Sequence, residues 1–246
     1  GLKDHFRWSV IDRWPTHPTF IEAVVARMRA AIDTFEPLPP SSTSAATAGS
    51  AGSATGGVDD GSVPAKDEVV IVFSAHSLPM RVVNRGDPYP QEVAATVQAV
   101  MTRLHQHTVP VAHRYMLAWQ SQVGPLPWLG PQTGDVLKSL GKRGVQRVLV
   151  VPIAFTSDHV ETLFEIDKEY AHMAAEAGIT QFRRAAALND EPLIFQAMAE
   201  IAAEHLQAGR LASSQYSFNC PSCVNPDCRK ILNPAASPPS PASALA

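Results

Sequence analysis

The chain has 246 residues, 45% of them hydrophobic and 17% charged, which supplies enough apolar material for one good core and makes one domain the starting expectation. A net charge of −3, with no segment that clusters Lys and Arg, argues against a nucleic-acid partner, because phosphate binding needs a local excess of cations. No apolar run reaches the roughly 20 residues a membrane-spanning helix requires, so any membrane contact is expected to be peripheral.

The chain opens at Gly1 with neither Met nor an Arg- and Ser-rich presequence, and an upstream segment is expected to be missing. Residues 16–35 place Ile21, Val24, Val25, Met28 and Ile32 at the spacing of a helix that buries one face, with Thr16 and Pro18 as its start. Residues 1–36 thus read as a helical lead-in. From 37 to 66 the composition turns to Pro, Ser, Ala, Thr and Gly, which offers little to bury and predicts a disordered insertion.

Residues 69–73 (VVIVF) form a β-branched run expected of a strand buried on both faces. A βα alternation follows, with a helix from 90 or 91 to 104, a strand at 115–120, a helix at 133–143 and a strand at 147–153. A helix at 157–177, a short strand at 182–186 and a helix at 191–207 complete it. Such alternation forces parallel strands with right-handed crossovers, so residues 67–209 read as a doubly wound α/β domain. A Cys-rich tail at 210–232 and a disordered Pro, Ala, Ser tail at 233–246 close the chain.

Ligands of open α/β sheets bind beyond the carboxyl ends of the strands, which directs attention to three loops. The first carries Ser74, His76 and Pro79, and a neutral imidazole there can exchange a proton near pH 7 or simply brace the strand end. The second is a Pro- and Gly-fixed loop around Trp128, able to present a flat aromatic surface or to plug the core. The third carries Asp158 and His159 and runs into Glu161, Glu165 and Glu169, whose spacing of four predicts a carboxylate column on one helix face. Such a column is either a solvated acidic face or a path for protons or a divalent cation. The loop at 84–90 (NRGDPYP) reads as a structural helix entry.

The three Cys residues, Cys220, Cys223 and Cys228, fall in one C-x2-C-x4-C stretch, a pattern for metal and for a reducing compartment and not for a disulfide framework. Zinc and an iron–sulfur cluster both suit such thiolates, and both want four ligands. His205 could complete a zinc site, whereas an all-thiolate cluster needs a fourth Cys that this chain does not contain.

Taken together, IDRWPTH, VFSAHSLPM, VVNRGDPYPQEV, WQSQVGPLPWLGPQT and VPIAFTSDHVETLFEID resemble, in order, the carboxy-terminal half of the ferrochelatases, from about Trp8 to the Cys cluster. The tail CPSCVNPDCR resembles the animal and fungal type that holds a [2Fe-2S] cluster. The resemblance implies a chelatase-like lobe of a two-lobe enzyme that inserts Fe2+ into protoporphyrin IX with loss of two protons. It also implies a peripheral protein on the matrix side of the mitochondrial inner membrane, homodimeric at full length.

By the same resemblance, His76 is the residue assigned either to pyrrole proton abstraction or to iron binding, and Glu161 its hydrogen-bonding partner. Trp128 would line the porphyrin cleft together with Ser74 and Pro79. Asp158, His159, Glu165 and Glu169 match an acidic track for iron or protons, and Cys220, Cys223 and Cys228 match three cluster ligands. The first lobe, which supplies the other cleft wall and the fourth cluster Cys, has no counterpart here, so a fragment that is a weak chelatase on its own is expected. The alternatives are a chelatase for another tetrapyrrole, or a non-catalytic metal-binding or partner-docking module.

Overall fold

The computed structural model describes residues 9–36, 68–107 and 113–213. Four parallel strands form one sheet: β1 (Val70–His76), β2 (Tyr115–Gln120), β3 (Arg147–Pro152) and β4 (Gln181–Arg184), in the order β2-β1-β3-β4. The two central strands are the β-branched runs, and β3 is buried along its whole length. Their side chains divide between two cores as the pleat demands. Ile71, Phe73, Leu149 and Val151 point to one face, while Val70, Val72, Val148 and Val150 point to the other.

The first face is covered by α1 (Pro18–Ile32), α3 (Tyr89–His107) and α7 (Pro192–Ala208). Pro18 opens α1 at a position whose N–H would have no helical partner, and Phe20, Ile21, Val24, Val25 and Met28 form its buried stripe. The second face is covered by α4 (Thr133–Lys142) and by the segments after β3. Gly141 of α4 lies so close to the backbone of Ala177 that an added Cβ would sit 2.2 Å from its carbonyl oxygen, so only glycine permits this helix to approach. Full burial of Phe73, Met28 and Leu104 contributes roughly 1.5–3 kcal/mol per side chain.

The crossover from β1 to β2 runs through α3 on the first face, and that from β2 to β3 through α4 on the second. The winding therefore reverses between β1 and β3, and a crevice opens at their carboxyl ends.

Two departures from the sequence expectation matter. A single helical turn, α2 (Met80–Val83), follows Pro79 and is too short to leave a periodic signature. The helix expected over 157–177 is three pieces: α5 (Val160–Leu163), a π-helical segment (Glu165–Tyr170) and α6 (Ala171–Glu176). A π segment closes hydrogen bonds over five residues, as from the Glu169 N–H to the Phe164 carbonyl (3.1 Å), and with Glu165 turned inward and Glu169 exposed the expected Glu161, Glu165, Glu169 column does not form. The first eight residues of the lead-in, the low-complexity stretch at 37–66 and the tails beyond 213 lie outside the described residues.

Candidate active site

His76 ends β1 and stands beside Gln120, which ends β2, on one side of the switch-point crevice. The imidazole Nδ1 lies 2.6 Å from the Ser77 carbonyl, which can only accept. The proton of the neutral ring therefore sits on Nδ1, and Nε2 carries the free lone pair. Glu161, from the first turn after β3, brings Oε1 to 3.4 Å from that Nε2. Both side chains are partly open, 37% and 31% exposed, so a reactant can reach the pair. A proton arriving at Nε2 lands directly opposite a carboxylate.

The loops that carry this pair are tied down from below. Ser74, wholly buried, donates from Oγ to Gln120 Oε1 (2.7 Å) and receives the Thr133 hydroxyl at 2.7 Å. This corrects the expectation that Ser74 lines the cleft: it lies beneath the floor and orients the Gln120 amide. Gln120 Nε2 in turn donates to the Glu161 carbonyl (2.9 Å) and to Glu165 Oε2 (3.0 Å). Tyr89 donates its hydroxyl to the His76 carbonyl at 3.0 Å and packs on Trp119. Burial, then the charges of Glu161 and Asp87, push the Tyr89 phenol up to about 12, so it remains a donor throughout the physiological range.

The prolyl loop is clasped to the His76 loop by main-chain bonds from Met80 to Pro127 (2.9 Å) and from Leu129 to Leu78 (2.9 Å). Ser77 Oγ adds a bond to the Leu129 carbonyl at 2.9 Å. Pro79 and Trp128 meet across this clasp, and Trp128 is half-buried with its indole N–H enclosed.

The ferrochelatase family model matches residues 2–206. Among curated relatives, the mitochondrial ferrochelatases of Bos taurus and Homo sapiens are 47% and 48% identical over 231 residues, 94% of this chain. That of Schizosaccharomyces pombe is 40% identical over 233 residues, 95% of this chain. The chain belongs to the ferrochelatase family. It spans about half the length of these relatives, 48%, 47% and 48% respectively. Among solved structures, a CbiX cobalamin-biosynthesis protein of Marinobacter aquaeolei VT8 overlaps 57% of this chain and 98% of its own, at 17% identity and a TM-score of 0.36.

The residues matched to the ferrochelatase acidic track have specific partners. Asp158 accepts from Arg184 Nη1 (2.8 Å) and Asn189 Nδ2 (2.7 Å), while Arg184 also grips Asp167 through two nitrogens at 2.7 and 3.0 Å. Burial works against the Asp158 charge, but the Asn189 amide and the Arg184 guanidinium outweigh it and hold its carboxyl below the ordinary range. His159 is the cap of α5: its Nδ1 accepts from the Glu161 N–H (3.1 Å), and its ring meets Phe155 edge-on. Glu165 turns inward to Gln120, Ser121 and Tyr170, whereas Glu169 is exposed. The carboxylate that faces His76 is Glu161, which is not one of these four.

Gln120, Tyr89 and Ser121 escaped the sequence reading. Gln120 could have been suspected as a polar residue closing a strand next to His76, and Tyr89 sits in the loop read as structural. Cys220, Cys223 and Cys228 lie outside the described residues. Three thiolates are one short of a four-thiolate set, so the Cys residues of these 246 residues do not by themselves complete a [2Fe-2S] cluster.

Proposed function

We propose that this chain supplies the proton-accepting wall of a ferrochelatase site, which inserts Fe2+ into protoporphyrin IX to give protohaem. The observation that carries the reading is the His76 Nε2 to Glu161 Oε1 separation of 3.4 Å at the switch point, with the ring tautomer set by Ser77. Metallation exchanges two pyrrolic N–H protons for one divalent cation, so the site needs a base beside the macrocycle and a counter-charge for the imidazolium that forms. His76 Nε2 takes the two protons one after the other, Glu161 balances the imidazolium each time, and the opening of the pair to solvent lets the first proton leave before the second is taken. Trp128 and Pro79 form the adjacent apolar wall against which a flat macrocycle packs.

The exposed apolar side chains Val123 and Leu126 of the prolyl loop and Val160, Leu163 and Phe164 of α5 and its end call for a cover. In this reading the other wall comes from the part of the family sequence that the chain does not span, and the 246-residue chain alone inserts iron slowly. The relatives' names support a mitochondrial setting, with peripheral attachment to the matrix side of the inner membrane and homodimerisation as part of the proposal.

The test is iron insertion into protoporphyrin IX, followed anaerobically by the loss of free-base porphyrin fluorescence. Measurements use the 246-residue chain and a full-length relative carrying the corresponding substitutions. In the relative, His76→Ala should slow insertion about 10²–10³-fold and Glu161→Gln at least about tenfold. Near-normal turnover by both variants would remove the pair from the mechanism, and full-rate insertion by the 246-residue chain would remove the need for a second wall.

A further inference from the structure

We infer that Glu165 is a positioning residue, a latch that aligns Glu161 with His76 through Gln120 and Ser121, and not a station on a cation or proton path. The role rests on reading His76 and Glu161 as the reactive pair, but the latch itself is visible in the hydrogen bonds.

A carboxylate has about four lone-pair sites. Those of Glu165 meet four donors. Oε1 accepts from the Ser121 N–H (2.7 Å) and the Tyr170 hydroxyl (2.7 Å), and Oε2 accepts from Gln120 Nε2 (3.0 Å) and Ser121 Oγ (2.5 Å). An incoming cation or proton would have to displace one of these bonds. Glu165 and Tyr170 are the first and last residues of the π segment, and the bond between their side chains spans it. Burial, followed by the hydrogen bond and charge of Glu165, raises the Tyr170 phenol, so it stays a donor.

What the latch holds is the geometry of the reactive pair. Ser121 has φ +64°, a conformation that a non-glycine residue adopts only where its surroundings enforce it, and Glu165 binds both its N–H and its hydroxyl. Gln120 has two amide hydrogens, one given to Glu165 and the other to the carbonyl of Glu161. Its main-chain oxygen accepts the N–H of Ser77, the residue whose carbonyl orients the His76 ring. Gln120 thus touches both loops of the pair, and Glu165 fixes Gln120.

The experiment is NMR on the complete 246-residue chain with isotope-labelled Gln and His, following the Gln120 side-chain amide protons and the His76 Cε1–H resonance. Glu165→Ala should speed exchange of the Gln120 amide at least about tenfold, corresponding to the loss of one charge-assisted bond, and should move the His76 resonance. Glu165→Gln keeps one amide oxygen, which can accept from both Gln120 Nε2 and the Ser121 hydroxyl, and should hold exchange within about threefold of the parent, with the His76 resonance in place.

The latch is wrong if Glu165→Ala leaves both signals unchanged, or if Glu165→Gln disturbs them as much as the alanine variant does. Should the alanine variant not fold, Ser121→Ala decides: a partial shift of both signals supports the latch, and an unchanged spectrum overturns it. None of these signals requires turnover, so the latch and the chelatase reading stand or fall separately.

Discussion

At the carboxyl edge of the sheet, His76 and Glu161 face each other at 3.4 Å with about a third of each side chain in solvent. At the amino edge, charged side chains are tied to the framework. Arg114 bonds both oxygens of Glu68, and Arg147 and Arg183 lie over the ring of Phe35 at 5.3 and 5.7 Å. The same residue types therefore hold the fold together at one edge and stand ready for a reactant at the other. Exposure and the lack of a saturating partner set separate the two, more than charge itself does. A variant at the carboxyl edge should cost turnover and spare stability, and a variant at the amino edge should do the reverse.

The largest effect expected is at His76. The corresponding Ala replacement in a full-length relative should remove most of the proposed metal-insertion rate, while in this chain the half-open ring limits the change in unfolding free energy to about 1 kcal/mol or less. Chemical denaturation beside the rate assay makes the check. A large loss of stability would mean that the imidazole braces the strand end and that the comparison between the edges is mistaken.

Next comes Phe35, buried and shared by two guanidinium groups. Phe35→Ala should destabilise the fold by about 3–5 kcal/mol through the cavity and the lost cation–π contacts. Folded protein at low temperature should keep its His76 resonance. Stability unchanged by this variant would show that the amino edge is not the framework described.

These contrasts also explain what was legible in the sequence. The β-branched runs around Val70 and Val148 announced the central strands because burial on both faces leaves no polar alternation. The proximity of His76 and Glu161 was legible because an α/β fold puts strand-end loops together. The segmentation of residues 157–177 was hidden, because the π turn is reinforced by tertiary bonds from Glu165 to Ser121 and Gln120 that no local pattern encodes. Ser74 was misplaced for a related reason: as a small polar residue at a strand end it suits a ligand contact and a buried hydrogen bond equally, and only the register beside Ala118 and Pro152 puts it inside. The Glu161, Glu165, Glu169 spacing was read correctly as arithmetic but on the wrong helix.

The smallest effect expected is at Asp158, and its pH dependence identifies it as an anchored carboxylate. Its folded value lies below the ordinary one near 3.9, so the unfolded chain binds more protons in the interval between the two. The Asp158 contribution is therefore complete above pH about 4 and is lost as pH falls through the lower, folded value. Unfolding titrations of the parent chain and Asp158→Asn should differ by about 1 kcal/mol at pH 5 to 6, with the gap closing in stronger acid. A gap that widens on acidification would mean that Asp158 is protonated more readily in the folded chain than out of it. Its bonds to Arg184 and Asn189 would then not be what holds the 158 loop against the end of β4, and Asp158 would return to consideration as part of the open site.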